Sequence, residues 1–207
     1  MKNKKIVKYW PSYLLIAIVS TIVVNFTFAL INRPKEKEVF NIFIASYGCE
    51  NNSVKETLQR QENYPSEIRR FYVDSGILGT KQYQTKKKGL SYSMADLMVF
   101  PISQLNTLEK YSDFCHGFEL DFVSNYFHID DENNFIVEDA KIYGFKIYDA
   151  TSKEGIFKEY IKYENDDINE DYYLIYKKTS LHLGKTKQNS KTDFALIIGR
   201  DFLNYEK

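Results

Sequence analysis

The 207 residues are 43% hydrophobic, with 17 Tyr and 15 Phe, enough for one domain with an aromatic core, which excludes a chain disordered throughout. The formal net charge of zero is uneven: Met1–Arg33 holds Lys2, Lys4, Lys5, Lys8 and Arg33 and no acid, leaving 23 basic against 28 acidic groups, net −5, in the remainder. A remainder of that sign lacks the basic face a general nucleic-acid binder needs to displace counterions from phosphates, so no nucleic-acid partner is expected.

Residues 1–12 form a basic N-terminus, and residues 13–31, YLLIAIVSTIVVNFTFALI, run nineteen positions without a charge. At about 1.5 Å of rise per residue this predicts a helix that nearly matches a hydrocarbon core about 30 Å thick, hence one transmembrane anchor. Four lysines precede it, against a net +1 in NRPKEKE after it, which places the N-terminus in the cytoplasm and the body of the chain outside, at the cell membrane. A cleaved signal peptide with a site at Thr27-Phe28-Ala29 is the competing reading, but the apolar run continues past that site to Ile31 and exceeds an h-region of about 7–15 residues. A lipoprotein fails on distance, because Cys49 in SYGC lies eighteen residues beyond the run.

Residues 32–38 read as a linker and residues 39–207 as one extracellular α/β domain. Val39–Ala45, VFNIFIA, is a β-branched and aromatic run that predicts a strand buried on both faces. Asn52 or Ser53 followed by Glu56 predicts a capped helix of about ten residues, stopped before Tyr64-Pro65. Ile68–Val73 is a second strand, punctuated by Asp74-Ser75-Gly76. Thr80–Ser91, with the basic run Lys86–Lys88, reads as a polar, solvated excursion. Ala95–Pro101, ADLMVFP, is a third strand, followed by helical spacing of Leu105, Leu108 and Tyr111, and a strand again feeding a helix implies a parallel sheet with right-handed crossovers. Ser112–Asn134 reads as irregular, with a short helix around Leu120–Tyr126. Ile142–Tyr148 and Tyr172–Lys177 are further strands, with Asp166–Asp171 as an acidic turn and Gly184–Lys191 as a polar loop. From Thr192 or Asp193 a last helix sets Phe194, Ile197, Ile198 and Phe202 on one face.

In an open parallel sheet, ligands lie beyond the carboxyl ends of the strands. The loop after the first strand (Ser46, Tyr47, Gly48) and the one after the third (Pro101, Ile102, Ser103, Gln104) open onto that edge and supply the candidate ligand site, although Ser103 also fits a helix cap and Tyr47 a packed aromatic. Ser180 and His182, two apart, share a strand face and suit hydrogen bonding to a ligand, but no orienting acid or oxyanion site accompanies them, so no catalytic residue is assigned. Cys49 and Cys115 are candidates for a disulfide or for two free thiols. The scattered His116, His128 and His182 lack zinc spacing, and two acidic runs fail the EF-hand pattern: Phe135 and Glu170 stand where its Gly is required. No metal or cofactor is expected.

FNIFIASYG, ADLMVFPISQL, IYGFKIYD and EDYYLIYKKTSLHLG, spread over most of residues 39–204, give the chain a pattern that resembles bacterial extracellular solute-binding proteins, the periplasmic-binding-protein-like family of type 2 topology, in a shortened form. The resemblance implies an α/β fold with a mostly parallel sheet flanked by helices, one reduced lobe of that family. It also implies that Tyr143 and Gly144 occupy the position where the family's second lobe begins to approach ligand. The expected function is then a membrane-anchored, non-catalytic solute-binding-like module for a small-molecule ligand, accessory to a transporter permease or another membrane protein of the envelope. The alternative is a structural or regulatory subunit that uses the same scaffold to dock a protein partner.

Overall fold

The computed structural model describes residues 3–129, 131–160, 170–184 and 193–203. The chain divides into two compact units, Met1–Lys35 and Glu36–Lys207. The first unit carries, among the described residues, the helix α1 (Asn3–Ile31), which contains Pro11. Its stretch Tyr9–Ile31, of mean hydropathy 2.5, is long and apolar enough to cross a membrane.

The second unit is an α/β domain built on one sheet of seven strands. In chain order it comprises β1 (Val39–Ser46), α2 (Asn51–Gln59), β2 (Arg70–Ile77), α3 (Lys81–Lys87), α4 (Leu90–Ser93), β3 (Leu97–Pro101), α5 (Ile102–Leu105) and α6 (Tyr111–Phe114). There follow β4 (Phe118–Glu119), α7 (Leu120–Phe127), β5 (Phe135–Glu138), β6 (Lys141–Tyr148), β7 (Tyr172–Tyr176) and α8 (Phe194–Leu203). Strand order is β2-β1-β3-β7-β6-β4, with β5 also paired to β6. The expected mostly parallel sheet is corrected to a mixed one: β1 runs parallel to β2 and β3, whereas β3–β7, β7–β6, β6–β5 and β6–β4 are antiparallel.

The reason lies in the connections. Parallel neighbours need a crossover of about a dozen residues or more, and β1, β2 and β3 are joined by segments that carry α2, α3 and α4. β5 and β6 are joined only by Asp139-Ala140, both at positive φ (50° and 61°), the geometry of a tight hairpin that forces antiparallel pairing. Ala is not a residue from which a left-handed turn is read, and this hairpin has no counterpart in the sequence reading.

Alternation along β1 divides the core. Phe40, Ile42 and Ile44 face a layer formed by α2, α7, α8 and the 3-10 turn Ile156–Glu159. Phe43 and Ala45 face α3, α4, α5 and α6. The supposed polar excursion is therefore helical: Thr80 Oγ1 accepts from Tyr83 N–H as the cap of α3, and Tyr83 buries its ring against Phe43. Asp74-Ser75-Gly76 also does not end its strand but continues β2, because Gly76 leaves room for the Tyr83 ring, 2.7 Å from where a Cβ would stand. The helix near Leu120 and the strands at 142–148 and 172–176 lie where the sequence predicts them. Most of the acidic turn predicted at 166–171, the polar loop at 184–191 and position 192 at the start of the last helix lie outside the described residues.

The α8 layer hinges on one close approach. Gly199 lies over the fully buried Tyr176, and a Cβ on Gly199 would overlap the Tyr176 hydroxyl and leave its ring carbon at 2.5 Å. Tyr176 in turn packs edge-on against Phe118 and Phe145. Gly199→Ala is expected to lower stability by about 3 kcal/mol in urea unfolding. Tyr176→Phe is expected to be at least as stable as the parent, because its buried hydroxyl has no hydrogen-bond partner among the described residues.

Candidate functional site

The three parallel strands define a switch point. The chain leaves β1 to one side for β2 and returns to its other side for β3, so a crevice is expected where the loops after β1 and β3 diverge. In the structure this edge is bridged by a carboxylate of the chain itself. Glu170, just before β7, accepts from Tyr47 Oη–H on one oxygen (3.2 Å) and from the Ser103 backbone N–H on the other (3.1 Å). The adjacent Asp171 carbonyl accepts from Ile102 N–H at 2.9 Å, which fixes the start of β7 across the end of β3. Burial, then the nearby Glu170 charge, push the Tyr47 phenol above its ordinary value.

The same edge carries the chain's densest ion-pair cluster among the described residues. Lys146 Nζ reaches Asp149 at 3.1 Å and Asp171 at 2.9 Å. Asp171 also accepts from Ala150 N–H, and Asp149 from the N–H groups of Thr151 and Ser152. The Ser152 N–H and the Lys146 ammonium hold the Asp149 carboxyl down to about 2. Below the loop after β1, Ser46 Oγ and Asn51 Oδ1 are buried with no hydrogen-bond partner among the described residues.

Of the residues singled out from the sequence, Tyr47 and Ser103 are brought together, through Glu170. Ser46 is buried at the end of β1, on the face toward α2. Gln104 is engaged elsewhere, its Oε1 accepting from Tyr83 Oη–H at 3.0 Å. Tyr143 is buried on β6, stacked on Tyr111 and pressed against Gly117, where a Cβ would come within 2.6 Å of its ring. Ser180 lies at the opposite end of the sheet. Glu170 belongs to an acidic stretch whose pattern suggests a turn or calcium ligation, and nothing in its spacing along the chain points to Tyr47 or Ser103.

Around Ser180 the amino ends of β1 and β3 enclose a buried polar knot. Asp96 Oδ1 accepts from Ser180 Oγ–H at 2.6 Å and Oδ2 from Asn41 N–H at 2.9 Å. Ser180 Oγ accepts from the His182 backbone N–H, and His182 Nε2–H donates to the Val39 carbonyl at 2.9 Å. The serine hydroxyl is thus directed at a carboxylate and the imidazole at a backbone carbonyl, so the two do not form a nucleophile–base pair. Lys177 Nζ donates to the Tyr92 and Ser93 carbonyls at the end of α4.

Cys49 and Cys115 are both free thiols. Cys49 packs against the α2 side of the sheet and Cys115 in the core on the other side, so the candidate bridge is not formed. Burial pushes both thiols up to about 12. Among the described residues no group of three His, Cys, Asp or Glu is arranged to hold a metal. Compared with protein-family models, curated proteins and solved structures, the chain finds no match.

Burial raises the Asp96 carboxyl, while the His182 imidazole and then the Ser180 hydroxyl pull it back. With its folded pKa above its unfolded one, Asp96 contributes stability below the ordinary carboxylate range, and this contribution is lost as pH rises through the folded value. Ser180→Ala removes a donor that favours the charged form. It is expected to cost about 1–3 kcal/mol, with a smaller loss at pH 4 than at pH 7 by urea unfolding.

Proposed function

We propose that residues 36–207 form a non-catalytic, solute-binding-like module anchored by α1, with its N-terminus in the cytoplasm and this unit outside the cell. Its ligand site is the switch point between the β1 and β3 loops, and the ligand is a small molecule bearing a carboxylate. One observation carries this reading: a side-chain donor from one loop and a backbone donor from the other already converge on a single carboxylate, that of Glu170. A charge-assisted pair of this kind is the recognition a carboxylate ligand requires, and Glu170 holds its place in the unliganded chain. Lys146, braced by Asp149 and Asp171, keeps the neighbouring loops in position. Such a module serves a transporter permease or another envelope protein beside it.

A second reading, a scaffold that docks a protein partner, is favoured by the same closure, since Glu170 fills the edge on which a solute would lie. The two are separated by freeing the donors. Glu170→Ala is expected to gain an upward thermal shift with amino acids, dicarboxylates or short acidic peptides, because a ligand that binds only the folded state raises its melting temperature. Adding Tyr47→Phe should abolish that shift. The absence of a shift across the panel in Glu170→Ala moves the function to the docking reading.

A further inference from the structure

The sheet face that carries Phe43 is incompletely covered at its amino end. There two adjoining open cavities of about 430 and 280 Å³ share Asn41 and Met94, and together they run from β2 across β1 to the turn after β7. Apolar side chains stand out along this groove: Leu90 is 76% exposed, Tyr72 47%, Met94 39% and Leu181 37%. Leu90 is the first residue of α4 and directly follows Lys86–Lys88 and Gly89, so the most exposed apolar side chain of the groove is flanked by the densest basic run in the chain.

The acids beside the groove are largely answered. Asp74 is paired with Lys86 at 2.6 Å, and Glu38 with Arg69 at 3.5 Å. Exposed Arg70, whose guanidinium reaches the Tyr72 hydroxyl at 3.4 Å, and exposed Lys87 and Lys88 add positive charge that these acids do not offset. Glu36, on the rim, is the remaining acid of the lining besides buried Asp96. Protruding apolar side chains between basic ones match an interface with acyl chains beneath and anionic headgroups around.

The chain also supplies a reason for such a surface to be near. Glu36 follows Ile31, the last residue of the apolar helix, by only five positions. A tether that short keeps the local concentration of bilayer around the groove high if the helix is inserted, so that modest contacts suffice. Entry from the tether falls at the amino end of β1, beside the groove, whereas Tyr47 and Glu170 lie past its carboxyl end.

We infer that the groove between β2, α4 and the turn at Leu181 is a membrane-docking face, which seats Leu90, Tyr72 and Met94 in the interfacial region of a bilayer that contains anionic lipid. The inference rests on the anchored reading of α1. The switch point, past the carboxyl end of β1, lies at the other end of the sheet from this face.

The test uses the full chain with its single tryptophan moved. In Trp10→Phe, Leu90→Trp places the only indole on the groove, and Val137→Trp places it instead on exposed β5, beyond the far side of the sheet. Both are reconstituted into vesicles of phosphatidylcholine and phosphatidylglycerol with brominated acyl chains. Docking predicts blue-shifted emission and at least about twofold quenching by the brominated chains for Leu90→Trp, but not for Val137→Trp. It also predicts weaker quenching in phosphatidylcholine alone, in 1 M salt, where the screening length falls to about 3 Å, and after Lys87→Glu with Lys88→Glu. Matching circular dichroism of all variants is the control for folding. Emission of a water-exposed indole, open to acrylamide and indifferent to brominated lipid, overturns the proposal. Shielding from acrylamide without lipid quenching also overturns it and assigns the groove to a protein surface. Equal quenching at Val137→Trp overturns it as non-specific adhesion. Flotation reads the anchor separately: a chain that floats with an exposed Leu90→Trp loses only the docking face, and one that does not float loses the anchor and the docking face with it.

Discussion

One buried carboxylate fixes how the two halves of this sheet meet. Asp96 immediately precedes β3, and all of its hydrogen-bonding groups are engaged. Its N–H donates to the Asn41 carbonyl, its carbonyl accepts from Lys177 N–H, and its side-chain oxygens accept from Asn41 N–H and the Ser180 hydroxyl. A charge taken out of water is tolerated only when satisfied in this way, so the three segments that supply partners must arrive together. The result is that β3 joins β1 in parallel on one side and β7 antiparallel on the other, and the mixed character of the sheet begins at this residue.

The opposite edge depends on that junction. With β7 held antiparallel to β3, its first residues fall where the loops after β1 and β3 diverge, and Glu170 is delivered to Tyr47 and Ser103 from 123 and 67 positions away. Asp171 is placed by the same strand to share Lys146 with Asp149. The amino-end knot thus sets the register of the strand that closes the carboxyl-end crevice, and the two polar clusters are ends of one construction.

What the sequence made legible follows from what is local. Continuous β-branched and aromatic runs identified β1, β3, β6 and β7, because strands buried on both faces need no partner to announce themselves. Tyr47 and Ser103 were placed on one edge because strand–helix alternation orders β1, β2 and β3 by itself. Direction was not legible for β7 and β6, since an apolar strand reads the same both ways and the Asp139-Ala140 turn lacks Gly or Asn. Asp96 lay inside the run ADLMVFP, where a single acid among apolar residues was the available sign of a buried, satisfied charge. Glu170 and the α3 helix were missed for one reason: each polar segment gains its place from a distant ring or donor, Tyr83 on Phe43 and Glu170 on Tyr47, that spacing along the chain does not reveal.

The two thiols carry a consequence for the life of the chain before it is folded. Cys49 follows the carboxyl end of β1, whereas Cys115 pairs with Lys177 beyond the far end of β7, and the sheet lies between them. A disulfide needs Cα atoms within about 7 Å, which this native arrangement does not offer. A Cys49–Cys115 bond therefore belongs to the unfolded ensemble alone. An oxidant that reaches the chain early would act as a ratchet, locking in a loop that the finished sheet must sever, whereas one that arrives late finds Cys115 buried, Cys49 half-buried, and the two on opposite faces of the sheet. For these two sulfurs the order of folding and oxidation matters more than the strength of the oxidant, because the folded sheet itself keeps them apart.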